Sequence, residues 1–198
     1  MIQRVVIAVC CLSALALAPS VFAQEQGAHD QNAALEAWNK AAQPGEFHEF
    51  LGKKAGKWKI AGKMWMQPGA EPIPSESVGE AEMILGGRYL KEEMTGTSMG
   101  MPFEGMGITG FDNTSGVVTS IWYDNMGTTT SILTGKYAKP GDPLELSGTM
   151  VDPASGLEMQ VRTLTTFVSA DEHRFEYFAA MGSMGEAKLM ELIYTRLQ

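Results

Sequence analysis

Gly96-Thr97-Ser98-Met99-Gly100 fits the G-x-S-x-G pattern that presents a nucleophilic serine, and acidic residues followed by His173 even supply the serine, acid, histidine order of an α/β-hydrolase. The pattern has catalytic meaning only where a helix follows the serine in a parallel sheet. Here the next stretch, Met101–Gly110, reads as another strand, so Ser98 is expected in a hairpin turn. No catalytic residue is assigned.

Thioethers could do different chemistry. Met64/Met66, Met99/Met101 and Met181/Met184 are close pairs, and soft sulfur ligands suit copper(I). Methionine is also the adaptable filler of cores and apolar pockets, the reading preferred for Met64 and Met66. His29, His48 and His173 fall at no metal-binding spacing. The expectation is therefore no metal and no cofactor. The surroundings of His173, Ser169-Ala170-Asp171-Glu172-His173, read as a solvated turn.

Charges within alternating segments raise a third kind of chemistry. Counting from Leu90 and Met94 turns Glu92 inward, and counting from Trp122 turns Asp124 inward. Arg162 shares its face with Leu164 and Val168. Internal charges are costly unless paired, so they would orient a ligand's polar end or hold water. The competing reading is that glycine-linked bulges shift the register and place them in solvent.

The elements that position these residues are mostly strands. The opening MIQRVVIAVCCLSALALAPSVFA has one basic residue, an apolar run too short to span a bilayer and a small-residue site at Val21-Phe22-Ala23. It reads as an export tag cleaved after Ala23, leading to the periplasm or beyond. Cys10 and Cys11 lie within it, so the mature chain is expected to lack disulfides and thiolates. Loss of Arg4 leaves 14 basic and 23 acidic residues, a balance that argues against nucleic acid and anionic lipid. No integral membrane segment is expected in the mature chain.

Residues 24–55 are expected to be a helical segment, loose over 24–29, with a helix from Asp30 to the Pro44-Gly45 stop and a short second helix around Phe47, Phe50 and Leu51. From Gly56 the period changes to two, with nine turn-rich breaks recurring to the end. Nine breaks imply ten strands, without helices between them to support parallel crossovers. Residues 56–198 are thus expected to be one antiparallel up-and-down β-barrel, a two-sheet sandwich being the alternative. The proline-containing stretch at residues 67–77, with Pro68, Pro72 and Pro74, is a candidate lid.

Gly56-Lys57-Trp58 at the start of the first strand, a short helix before it and Arg196 near the end of the last strand resemble the calycin superfamily of lipocalins, fatty-acid-binding proteins and nitrobindins. The segments EMILGGRYL, GMPFEGMGITGFDN, IWYDNMGT, GTMVDPASG and YTR resemble more closely the bacterial family called domain of unknown function 1579. The resemblance implies a barrel whose Trp58 and Arg196 pack together at the floor. Nitrobindin-like barrels hold haem through a late-strand histidine, which draws attention to His173; the solvated-turn reading of that residue argues against haem here.

With Trp58 inward, the lumen candidates are Met64, Met66, Met83, Glu92, Met94, Trp122, Asp124, Arg162 and Tyr194. The expected function is exported binding of a small apolar or amphipathic molecule, with oligomeric state open. Two alternatives stand beside it: an enzyme using Glu92 or Asp124 as acid or base, and a solid-core interaction module with outward aromatics such as Trp65.

Overall fold

The computed structural model describes residues 21–137, 139, 141–153, 155–180 and 185–198, with side chains from Gln31 onward. Most of the export tag and the Met181/Met184 pair lie outside the described residues. Helix α1, Val21–Ala41, lies in a first unit up to Lys40, its last residue belonging to the second, and its backbone is helical over residues 24–29, where a loose segment is expected from the sequence. Leu35 and Trp38 on it are exposed.

The second unit, from Ala41 to Gln198, is the barrel. Helix α2, Glu46–Gly52, is followed by ten strands: β1 Gly56–Met64, β2 Ile73–Ile84, β3 Tyr89–Ser98, β4 Met101–Asp112 and β5 Val117–Asp124, then β6 Ser131–Lys136, β7 Leu144–Val151, β8 Glu158–Phe167, β9 Glu172–Ala180 and β10 Glu186–Arg196. Each pairs antiparallel with its sequence neighbour, and β1 closes on β10 with Trp58 opposite Arg196. The expected up-and-down barrel is the observed one. Pro74, placed in the candidate lid by the sequence, is instead a strand residue paired with Lys63.

Short α2 survives because its ends are capped and one face is buried. Gly45 N–H donates to His48 Nδ1 at 3.0 Å while His48 N–H donates back to the Gly45 carbonyl, a reciprocal cap. Phe47, Phe50 and Leu51 then pack on Leu90, Val118, Leu144 and Leu146, sealing one end of the barrel. Burying a side chain of this size contributes about 1.5–3 kcal/mol.

Closure is uneven around the wall. Among the described residues β6 and β7 share a single register pair, Thr134 with Ser147. Gly135 and Gly148 flank it, where an added Cβ would meet the carbonyl oxygens of Glu145 and Ile132. Glycine is what lets the two backbones approach so closely.

The β3–β4 turn answers the serine question. Ser98 pairs with Met101 across Met99-Gly100, both at positive φ, +52° and +76°. This is the turn geometry whose twist matches a hairpin, with no helix after the serine. A left-handed methionine costs about 1–2 kcal/mol relative to a residue at ease there. Met99→Asn is accordingly expected to raise stability by roughly 0.5–1 kcal/mol, read as a higher urea midpoint at unchanged slope; an unchanged or lower midpoint would contradict it.

Candidate functional site

Inside the barrel is a cavity of about 750 Å³. Its floor is Phe50, Leu51 and Lys54 of the α2 end; its far end is ringed by Met64, Trp65, Met66, Met99, Met126 and Leu157, residues at or beyond the opposite strand ends. The volume lies within the 300–1,000 Å³ of small-molecule sites.

Strand alternation delivers most of the expected lining. Met64, Met94, Trp122 and Tyr194 border the cavity, as do Glu92 and Asp124. Trp122 lies over Gly105 and Gly107, where an added Cβ would meet its indole, and its Nε1–H donates to Asp124 Oδ2 at 3.0 Å. Asp124 Oδ1 accepts from Met126 N–H at 3.0 Å. Glu92 Oε1 lies 2.6 Å from Lys54 Nζ, an ion pair with both side chains only partly exposed. Both carboxylates offered by an acid–base reading therefore have engaged oxygens.

Two lining assignments, Arg162 and Met83, are corrected. Arg162 is on the outer face: its guanidinium binds Glu186 at 2.6 Å and 2.9 Å, reaches Glu145 at 3.3 Å and covers the Phe178 ring. The inward residues of β8 are its neighbours Val161, Thr163 and Thr165, all buried. The hydrophobic Leu164 and Val168 used to set the face point the other way. Met83 packs into the floor core with α2 instead of bordering the cavity. Met66 borders the cavity as expected, at its rim beyond the end of β1, where it is 60% exposed. Trp65, considered as an outward contact, instead borders the cavity mouth.

The floor pair is built as a clasp. The Arg196 guanidinium lies 4.2 Å from the Trp58 ring and donates to the carbonyls of Ala55 at 2.8 Å, Lys53 at 2.8 Å and Ala170 at 3.1 Å. Trp58 Nε1–H donates to the Lys54 carbonyl at 2.8 Å. One cation thus ties the segment after α2, the first strand and the β8–β9 turn together.

His173 is the residue the sequence reading missed. It is 1% exposed, not solvated. Its ring stacks on Tyr194 at 4.2 Å, meets Trp58 edge-on at 4.5 Å and lies 5.7 Å from Phe167. Burial, then the positive charges of Lys54 and Arg196, lowers its pKa from 6.5 to about 3, so the ring is neutral. Burial, with the Glu92 carboxylate adding to it, pushes the Tyr194 phenol up. Neither His173 nitrogen has a hydrogen-bond partner among the described residues. The signal that could have found it was strand parity: His173 sits opposite Tyr194 in the ladder, and Tyr194 had been placed inward.

His48 also has its pKa lowered, chiefly by burial, and serves as the cap of α2. Hydroxyls moisten the remaining wall. Thr109 donates to Ser120 at 3.0 Å, and Ser98, Thr163 and Thr165 are buried beside the cavity. Among the described residues no group of three His, Cys, Asp or Glu side chains could hold a metal ion, and no helix is long and apolar enough to cross a membrane.

Among solved structures, the chain is similar to a redesigned β-barrel at 16% identity, over 76% of this chain and 95% of that one, with a TM-score of 0.39. No curated protein matches. The model of a protein family of unknown function, DUF1579, matches residues 43–196, from the turn before α2 to the clasp arginine, and the chain belongs to that family.

Proposed function

We propose that this barrel is an exported container for one small apolar or amphipathic molecule. The cavity carries the reading: about 750 Å³ within a wall of methionine, aromatic and hydroxyl side chains is more room than a solid-core module needs. Methionine suits such a mouth because its unbranched thioether repacks around ligands of different shape. Affinity would come from apolar burial, at about 25 cal/mol per Å² removed from water. Export is supported by the charge, apolar run and small-residue site of the first 23 residues.

A hydrocarbon probe with no polar group tests the container directly. Diphenylhexatriene should bind the purified mature chain saturably at about one equivalent, with a Kd on the order of micromolar. A signal that never saturates, or none at all, would sink the reading. Fractionation with amino-terminal sequencing checks export separately, the expected start being Gln24.

A further inference from the structure

We propose that Met66, Met99 and Met126 make the cavity mouth a site of reversible thioether oxidation by peroxide-class oxidants, and that their sulfoxides lower the affinity of the lumen for apolar ligands. The inference rests on the container reading above and adds a modification that regulates it.

Placement singles these three side chains out. Each follows a strand that ends at the mouth: Met66 lies beyond β1, Met99 in the β3–β4 turn and Met126 beyond β5. All three border the cavity, and all three are open to solvent, with exposures of 60%, 38% and 37%. An oxidant arriving from outside therefore meets the same side chains that an entering ligand must pass. Leu157, also strongly exposed, and Trp65 complete an apolar rim. Deeper lining methionines are better protected: Met94 is 8% exposed, and Met150 and Met159 pack against the core with partly buried side chains. Met101 and Met106 are exposed without bordering the cavity, so the molecule carries its own comparison.

The step is a simple oxygen transfer. Sulfur gives an electron pair to one peroxide oxygen, and the S–O bond forms as the O–O bond breaks. The departing hydroxide takes the proton left on the transferred oxygen and leaves as water, so the thioether is oxidised and the peroxide reduced by two electrons. A flexible apolar side chain thereby becomes a polar, chiral one, and sulfoxide reductases restore it. Each new oxygen is a hydrogen-bond acceptor that holds water at the mouth. An apolar ligand seated there must strip that water and offers no donor in its place, which is costly. The repacking that suits methionine to a mouth is lost in the same step.

The test uses the purified mature chain, hydrogen peroxide and diphenylhexatriene. After limited oxidation and removal of peroxide with catalase, peptide mass mapping should find oxygen on Met66, Met99 and Met126 while Met94 remains a thioether. Affinity for the probe should then fall at least about tenfold and return to within about twofold after reduction by sulfoxide reductases for both epimers. The triple variant Met66→Leu, Met99→Leu, Met126→Leu, whose probe binding before oxidation reports that it is folded, should lose less than about threefold on the same treatment. Should the triple substitution unfold the barrel, Met66→Leu with Met126→Leu, both outside the strands, carries the comparison. Oxidised wild type binding within about threefold of untreated protein, an equal loss in the variant, or Met94 oxidising as fast as the rim overturns the inference and leaves the container reading standing. Failure of the untreated wild-type chain to bind diphenylhexatriene overturns both.

Discussion

Between pH 6.5 and about 3, the native chain is expected to lose about 1.4 kcal/mol of stability per pH unit through His173 alone, and His173→Phe is expected to remove that component. The sign follows from where the proton goes. Folded, the imidazole titrates at about 3; unfolded, it titrates at its ordinary 6.5. Within that window the unfolded chain binds the proton and the folded chain does not. The contribution is complete above pH 6.5, falls as the pH drops, and by pH 3 has cost roughly 4–5 kcal/mol. Carboxylates also titrate at the acid end, so the test is the difference between wild type and His173→Phe in urea midpoints measured across that range. Parallel curves would mean that the histidine is solvated. At neutral pH the variant should also be more stable by about 1–3 kcal/mol, because two unpaired buried nitrogens are gone.

The second large effect belongs to Arg196. Arg196→Ala removes a cation from the Trp58 ring, about 0.5–2 kcal/mol, and three charge-assisted bonds to carbonyls that remain partly accessible to water. We expect a loss of about 3 kcal/mol, or a fall in Tm of roughly 9 °C for a chain of this length. Arg196→Lys should recover no more than about a third of it, since an ammonium keeps the charge but not the planar fork. A double-mutant cycle with Trp58→Leu should show coupling of roughly 1 kcal/mol. Loss of less than about 1 kcal/mol in Arg196→Ala would mean that ladder pairing alone holds the barrel ends together.

Much of this was legible because the barrel repeats one rule. Period-two patterning and nine turn signals located the ten strands, since each depends only on local chemistry, whereas the floor pair of Trp58 and Arg196, 138 positions apart, was reached only through a family resemblance. Met64, Met94, Glu92, Trp122, Asp124 and Tyr194 reached the lumen by the same counting. The count failed at Arg162 because hydrophobicity is a poor guide to facing in a wet barrel. On β8 the interior holds Thr163 and Thr165, while Leu164 is turned outward beside the Arg162 ion pairs. His173 was misread for a related reason: its polar neighbours Asp171 and Glu172 describe the turn before it, whereas its own environment is set by Tyr194, 21 positions later in the chain. Cavity volume was beyond sequence reasoning. It depends on how ten strands tilt and where α2 stops, neither of which any single segment encodes.

The narrow join between β6 and β7 bears on how this protein meets copies of itself. A sheet rolled shut has no free edge for a neighbouring chain to extend, which is the protection a barrel offers against runaway strand addition. Closure is only as strong as its least redundant seam, and among the described residues the β6–β7 seam shows one register pair, set between two glycines. A local opening at that seam uncovers Ser131–Lys136 and Leu144–Val151 together, two complementary templates on one molecule. Strand exchange between molecules would then start there, and amide exchange in β6 is the observable that would register the opening before any aggregate forms.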